Sequence, residues 1–212
     1  MGKRGSSIEK PMAMEIQPIT LEGRAVRLEP LSLSHHAQLC EVGLDFDLWH
    51  WTTQNVRTPE DMRAYIKHAL DDHARGTSLP FATLDRTSGK VIGSTRYLNI
   101  DVSNFRVEIG ATWLAKDWQR TAANTEAKYL MLRHAFEKFG CIRVEFKTDS
   151  LNQRSREAIL RIGAKEEGTL RNHMLTWTGR IRHTVYFSII DSEWPEVKKQ
   201  LEAKLVRSAK TQ

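Results

Sequence analysis

Apolar or small residues recur at every second position from Phe105 through Val107, Ile109 and Ala111 to Trp113, the spacing of a half-buried strand. Downstream, Ala127, Leu130, Met131, Leu132, Ala135, Phe136 and Phe139 cover most of a helical surface, and Glu126, Arg133 and Glu137 leave a narrow polar strip. The stretch Trp113–Ala127 joins the two patterns. A strand entering a helix through a turn of small residues leaves backbone N–H groups unpaired, and with the helix dipole these form an anion site. Ala122 and Ala123 would let a phosphate approach that backbone closely. A plain strand-to-helix connection is the competing reading.

The other elements follow from the same periodicities. Leu21 to Leu31 reads as a first strand with Gly23 in a turn, and Ser34 as the cap of a short helix through His36, Leu39 and Val42. Asp45–Val56 is loop-like and carries Trp49 and Trp51, as packing residues or as the wall of a pocket. Thr58-Pro-Glu-Asp starts a helix that runs to Gly76. Pro80–Leu84, Val91–Ile100 and Phe105–Leu114 form an antiparallel meander. After the long helix, Ile142–Thr148 alternates as a strand, and a strand–helix–strand unit of this length implies parallel pairing. Asn152–Ile162 is a short helix, residues 169–190 a hairpin around Thr178-Gly179, and Ser192-Glu-Trp-Pro the start of a terminal helix. The expected architecture is one α/β (α+β) domain over residues 16–207, a mixed, mainly antiparallel sheet flanked by helices, with tails at 1–15 and 208–212.

Composition narrows the class. The 212 residues suffice for one sizeable core, and no apolar run reaches the length of a membrane span. The N-terminal stretch is polar and lacks an apolar secretion segment, so a cytoplasmic location is expected. Cys40 and Cys141 fit reduced core thiols, and neither they nor the eight histidines have metal-ligand spacing, so no metal is expected. Residues 119–183 carry 13 Lys/Arg and 7 Asp/Glu, an excess equal to the chain's whole net charge of +6. This favours a polyanionic ligand, a solvated basic face or nonspecific nucleic-acid affinity. Nucleic acid ranks lowest, since the segment lacks interleaved aromatics for base stacking.

Several segments carry a resemblance when taken in order: Val107-Glu-Ile-Gly-Ala-Thr-Trp-Leu, Asn124-Thr-Glu-Ala-Lys, Arg133-His-Ala-Phe-Glu, Arg143-Val-Glu-Phe-Lys-Thr-Asp, Asn152-Gln-Arg-Ser-Arg-Glu-Ala, Ile162-Gly-Ala-Lys-Glu-Glu-Gly and Leu170-Arg-Asn-His. From about Leu21 to Leu205 the chain resembles the Gcn5-related N-acetyltransferases (GNAT), and within them the RimJ/RimL ribosomal-protein N-terminal acetyltransferase type. The resemblance implies acetyl-CoA as co-substrate and a primary amine, on a protein N-terminus or a small molecule, as acceptor. It also implies a cleft where parallel strands splay apart at a bulge. The family's pyrophosphate turn falls on Gln119, Arg120, Thr121, Ala122, Ala123 and Asn124, continuing into Thr125, with Ala122 and Asn124 in place of the usual glycines. Asn124 is the non-glycine residue that best tolerates a left-handed backbone there. The backbone of Thr112, Trp113 and Leu114 would pair with the pantetheine arm. Asn152 matches the family asparagine that bonds pantetheine, and is also a good helix cap in its own right. A homodimer is left open.

Transfer of acetyl from a thioester to an amine needs a base for the amine and a proton for the departing thiolate. Glu108 is the candidate base, with an ion pair to Arg96 or Arg143 as the structural alternative. Ser155, on the same helical face as Asn152, is the candidate acid. Cys141 is expected in the core, and His183 stands where many family members carry aspartate. A noncatalytic acyl-CoA-binding module is the alternative function, motivated by the missing glycines.

Overall fold

The alternating segments assemble into one sheet. A computed structural model describes residues 14–209. Its strands are β1 (Leu21–Glu22), β2 (Val26–Pro30), β3 (Leu79–Asp85), β4 (Val91–Asp101), β5 (Arg106–Leu114), β6 (Arg143–Asp149), β7 (Lys165–Leu175) and β8 (Ile181–Ile190). Their order across the sheet is β1-β2-β3-β4-β5-β6-β8-β7, antiparallel except for the β5–β6 pair. The helices are α1 (His36–Gly43), α2 (Pro59–Ala74), α3 (Ala122–Glu137), α4 (Gln153–Arg161) and α5 (Trp194–Ala209). Among the described residues no helix is long and apolar enough to cross a membrane. The expected N-terminal tail lies outside the described residues as far as residue 13, and Met14 packs in the core.

Local chemistry explains most boundaries. Thr58 Oγ1 accepts from the Asp61 N–H at 3.1 Å while Asp61 Oδ2 accepts from the Thr58 N–H at 3.0 Å, a capping box that starts α2 ahead of Pro59. The helix ends where Gly76 takes a φ of 72°. Two expectations need correction. The first strand is a tight hairpin, β1 and β2, which reverses at Gly23–Ala25 because three consecutive N–H groups there bond to the Glu126 carboxylate. The first helix is preceded by a 3-10 turn over Leu33–His35 with Ser32, not Ser34, at its cap position.

Each face of the sheet carries its own core. On one, Val107, Ile109, Val144, Phe146 and Phe187 pack against Leu130, Met131 and Leu132 of α3 and Leu201 of α5. On the other, Trp113, Ala82 and Val91 pack under Leu39 of α1 and Met62, Tyr65 and Ile66 of α2. Helices α1 and α2 thus give this second face an apolar roof over its β3–β5 part. Toward β6 and β8 the face turns polar.

Candidate active site

The β5–β6 ladder is short. Parallel pairing runs only over Arg106–Arg143, Val107–Val144 and Glu108–Glu145, although β5 continues to Leu114 and β6 to Asp149. Beyond Glu108 the two strands part, so a central strand presents an unpaired backbone edge. A bulge contributes: between Ser94 and Arg96 the β4–β5 register slips, and Ala111 takes a φ of 46°. Ala111 and Thr112 are exposed in mid-sheet. A surface depression of about 420 Å³ lined by Asn104 and Ile142 lies at the paired end of these strands, and none of the candidate residues lines it.

Glu108 belongs to the last pair before the splay, with its side chain on the face opposite α3 and 2% exposed. Its Oε2 accepts from Asn99 Nδ2 at 2.7 Å and pairs with Lys147 Nζ at 3.0 Å. Gly110 makes room for it, because a Cβ there would lie 2.8 Å from Glu108 Oε1. The expected alternatives for an ion pair were wrong in partner: Arg143 pairs with Glu145 and Glu167, and among the described residues Arg96 forms no ion pair. Strand alternation explains the actual partner, since Glu145 and Lys147 share the face opposite Val144 and Phe146.

The turn after β5 adopts a particular form. Thr121 caps α3: its Oγ1 accepts from the Ala123 N–H at 3.2 Å and donates to the Trp118 carbonyl at 2.8 Å. The other N–H groups of the first turn have no intrahelical acceptor. Ala122, Asn124 and Thr125 are half-buried and lie inside the helix. The left-handed residue is therefore not Asn124 but Arg120, with a φ of 65°. Gln119 bridges the cleft, its Nε2 donating to the Leu114 carbonyl at 2.9 Å and its Oε1 accepting from Arg154 of α4. Across the splay, Asn152 caps α4 with its Oδ1 accepting from the Ser155 N–H at 3.0 Å, and Ser155 is half-buried beside it. Thr112–Leu114, Gln119–Thr125, Asn152 and Ser155 thus gather on the three elements that border the gap.

Sequence reasoning missed Lys128. It lies 7% exposed on α3, its Nζ donating to Thr112 Oγ1 at 2.6 Å and standing 5.8 Å from the Phe146 ring centroid. Its ammonium therefore sits between the diverging strands. Burial pushes it down to about 7, while the Glu108 charge acts against the shift. A lysine between Ala127 and Leu130, on the face opposite the polar strip of Glu126, Arg133 and Glu137, was the signal. Glu126 also needs correction: it is 5% exposed and belongs to the interior instead of a solvated strip. Cys141 is buried as expected, and burial pushes its thiol up to about 12.

Aromatics close the second face beyond the roof. Trp49 is core, 2% exposed and packed against Tyr65 and Trp113. Trp51 is half-buried, with Arg180 stacked 5.7 Å from its ring. The hairpin reaches back to this loop: Trp177 Nε1 donates to the Trp49 carbonyl at 3.0 Å, and Arg182 Nη1 to the Trp51 carbonyl at 3.5 Å. His183 faces outward and holds the strand bulge, its Nδ1 accepting from the Asn172 N–H at 2.9 Å.

Comparison with known proteins agrees with this arrangement. The acetyltransferase (GNAT) domain model matches residues 25–165, more than half of the chain. A GCN5-related N-acetyltransferase from Brucella melitensis is 33% identical, superposes with a TM-score of 0.83, and the match covers 92% of this chain and 87% of that one. RimJ of Mycobacterium smegmatis, solved with CoA-disulfide, shares the fold with a TM-score of 0.77 at 21% identity, over 88% of this chain and 95% of its own. YdaF of Bacillus subtilis (strain 168), provisionally named a ribosomal N-acetyltransferase, is 32% identical over 106 residues, which span 50% of this chain and 57% of YdaF. With its sheet splayed behind a bulge, a capped helix at the mouth of the gap and a match across most of its length, the chain belongs to the GNAT acetyltransferase family.

Proposed function

We propose that the protein is an N-acetyltransferase that moves an acetyl group from acetyl-CoA to a primary amine by direct attack in a ternary complex. The observation that carries this is the position of Glu108, a carboxylate at the point where β5 and β6 separate. The gap beside it suits an extended thioester arm. The exposed β5 edge offers Thr112, Trp113 and Leu114 for strand-like pairing, with Gln119 giving up the Leu114 carbonyl. The first turn of α3, from Ala122 to Thr125, directs N–H groups at a pyrophosphate, and small side chains at Ala122 and Ala123 keep the approach open. Arg120 adds a cation at the turn. Asn152, its Oδ1 committed to the cap, has its amide N–H groups for the arm.

When bound, acetyl-CoA supplies the electrophilic thioester carbonyl. Glu108 takes the proton of the incoming amine, directly or through one water. Ser155 protonates the departing thiolate. Trp51, Trp177 and Arg182, closing the face beyond Glu108, keep bulk water from competing with the amine. The acceptor enters from that face, opposite α3. The name of YdaF, a ribosomal N-acetyltransferase, makes a protein N-terminus one candidate acceptor, beside small-molecule amines.

Coenzyme A release with a panel of N-terminal peptides and small amines tests the reading. Glu108→Gln is expected to lower kcat/KM by about 100-fold, the scale of a lost general base. Its acetyl-CoA Kd by calorimetry is expected to match wild type. An unchanged rate in this variant would remove Glu108 as the base.

A further inference from the structure

Among the described residues, a buried cation without a counter-ion lies on the face of the sheet that carries Glu108. Arg96 occupies the middle of β4 and is 2% exposed. Its strand neighbours fix its direction. Thr95 bonds Thr112, and Tyr97 donates its hydroxyl to the Met131 carbonyl of α3 at 2.6 Å. Arg96 therefore projects to the opposite face, the face of Glu108, where its Cζ lies 4.4 Å from the Tyr65 ring centroid. Its Nε and Nη2 are fully buried and have no hydrogen-bond partner among the described residues.

Those two nitrogens form one edge of the guanidinium fork, with parallel N–H bonds spaced to meet the two oxygens of a carboxylate or phosphate. Leaving such an edge empty in the interior is costly, because buried charges are ordinarily paired. The nearby acids are engaged elsewhere. Glu108 is held by Asn99 and Lys147, and Asp149 by Arg180. A further cation, Arg182, lies buried on the same face, and among the described residues its acceptors are Thr184 Oγ1 and the Trp51 carbonyl. Arg96 pairs in the ladder with Gly110, over which the Glu108 carboxylate lies.

We infer that the acceptor amine carries an anionic group, a carboxylate or a phosphate, and that the free Nε–Nη2 edge of Arg96 holds it so that the amine meets Glu108. This rests on the acetyl-transfer reading and assigns its acceptor class. The anion supplies the counter-charge that the fold withholds. Tyr65, stacked on the guanidinium, keeps the fork in plane.

The test uses full-length protein and amines in matched pairs: β-alanine and O-phosphoethanolamine against ethanolamine, and peptides with an acidic against an amidated second residue. An anionic member is expected to be acetylated at least tenfold more efficiently than its uncharged partner. In Arg96→Met and in Arg96→Lys, which keeps the charge and loses the fork, the preference for the anionic member is expected to fall to within about twofold. Uncharged partners preferred throughout, or a preference that survives both variants, would overturn the assignment. The melting temperature of the ligand-free protein is a second readout. Arg96→Met is expected to raise it, by removing an unsatisfied charge, and a fall would mark Arg96 as structural. Should no amine at all be turned over, the acetyl-transfer reading fails on its own. Calorimetry of the anionic amines then decides the Arg96 site: binding lost in Arg96→Met supports it, and equal or absent binding in both proteins overturns it.

Discussion

Lys128 sits where an ammonium is costly, between two strands, with one hydroxyl as its hydrogen-bond partner. The consequence is a pH dependence with a definite sign. Its folded value of about 7 is well below the ordinary lysine value, so between the two the unfolded chain binds more protons. Stability therefore rises with pH through this window: the burial penalty is complete below pH 7 and gone above about pH 10.4. In the absence of coenzyme A, Lys128→Met is expected to be more stable than wild type at pH 6, on the order of a few kcal/mol. The gap is expected to close by pH 10, and melting curves from pH 6 to 10 check it. Single residues are also where the sequence was hardest to read. Glu108 stands out in the sequence as a candidate base, but its partner depends on which β6 residue shares its face, and that follows from a parallel register the sequence does not state. Asn124 drew attention as the residue suited to a left-handed backbone. The structure gives that conformation to Arg120, because Thr121 takes the cap and starts the helix one residue before Ala123.

At the scale of elements, α3 both lines the cleft and anchors the opposite edge of the sheet. Its Glu126 carboxylate accepts the N–H groups of Arg24, Ala25 and Val26 at 2.9, 2.6 and 2.8 Å, so a helix side chain forms the turn of the β1–β2 hairpin. Gly23 is required beside it, since a Cβ there would lie 2.5 Å from the carboxyl group. Glu126→Gln, which removes the charge and one acceptor oxygen, is expected to cost roughly 2 kcal/mol. A urea titration reads this as a lower midpoint with an unchanged slope. Most elements were legible because their signals are local: the Thr58 capping box, the alternation of β4 and β5, and the Gly140 and Gly163 stops. The β1–β2 reversal was not, because the group that stabilises it lies about a hundred residues away.

Across the whole molecule, the loop over residues 45–56 and the β7–β8 hairpin meet above the polar face. Besides the Trp177–Trp49 and Arg182–Trp51 bonds, Arg57 stacks on both Phe46 and Trp177, with its Cζ 4.4 and 4.9 Å from their ring centroids. Trp177→Ala is expected to raise the acceptor KM roughly tenfold, the equivalent of one lost hydrogen bond. The acetyl-CoA Kd is expected to stay the same, because Trp177 bonds to the loop over residues 45–56 and to none of the residues proposed to hold acetyl-CoA. Initial-rate kinetics with each substrate varied separates the two effects. The architecture at this scale was readable from the order of strands, helices and turns. The meeting of loop and hairpin was not, since residues 49 and 177 carry no sequence signal of being neighbours.

The short β5–β6 ladder bears on edge-to-edge pairing of the sheet. An unpaired strand edge ordinarily invites another chain to add to the sheet. Here the open backbone lies in the interior of the sheet, between two strands of the same molecule. The outer boundaries are poor templates: β1 has two residues, and β7 is broken by register shifts between Glu166 and Gly168 and between Leu170 and Met174. The strand edge that is most receptive to an extended partner is thus placed where a neighbouring copy cannot lie alongside it, and a slender, flexible arm can.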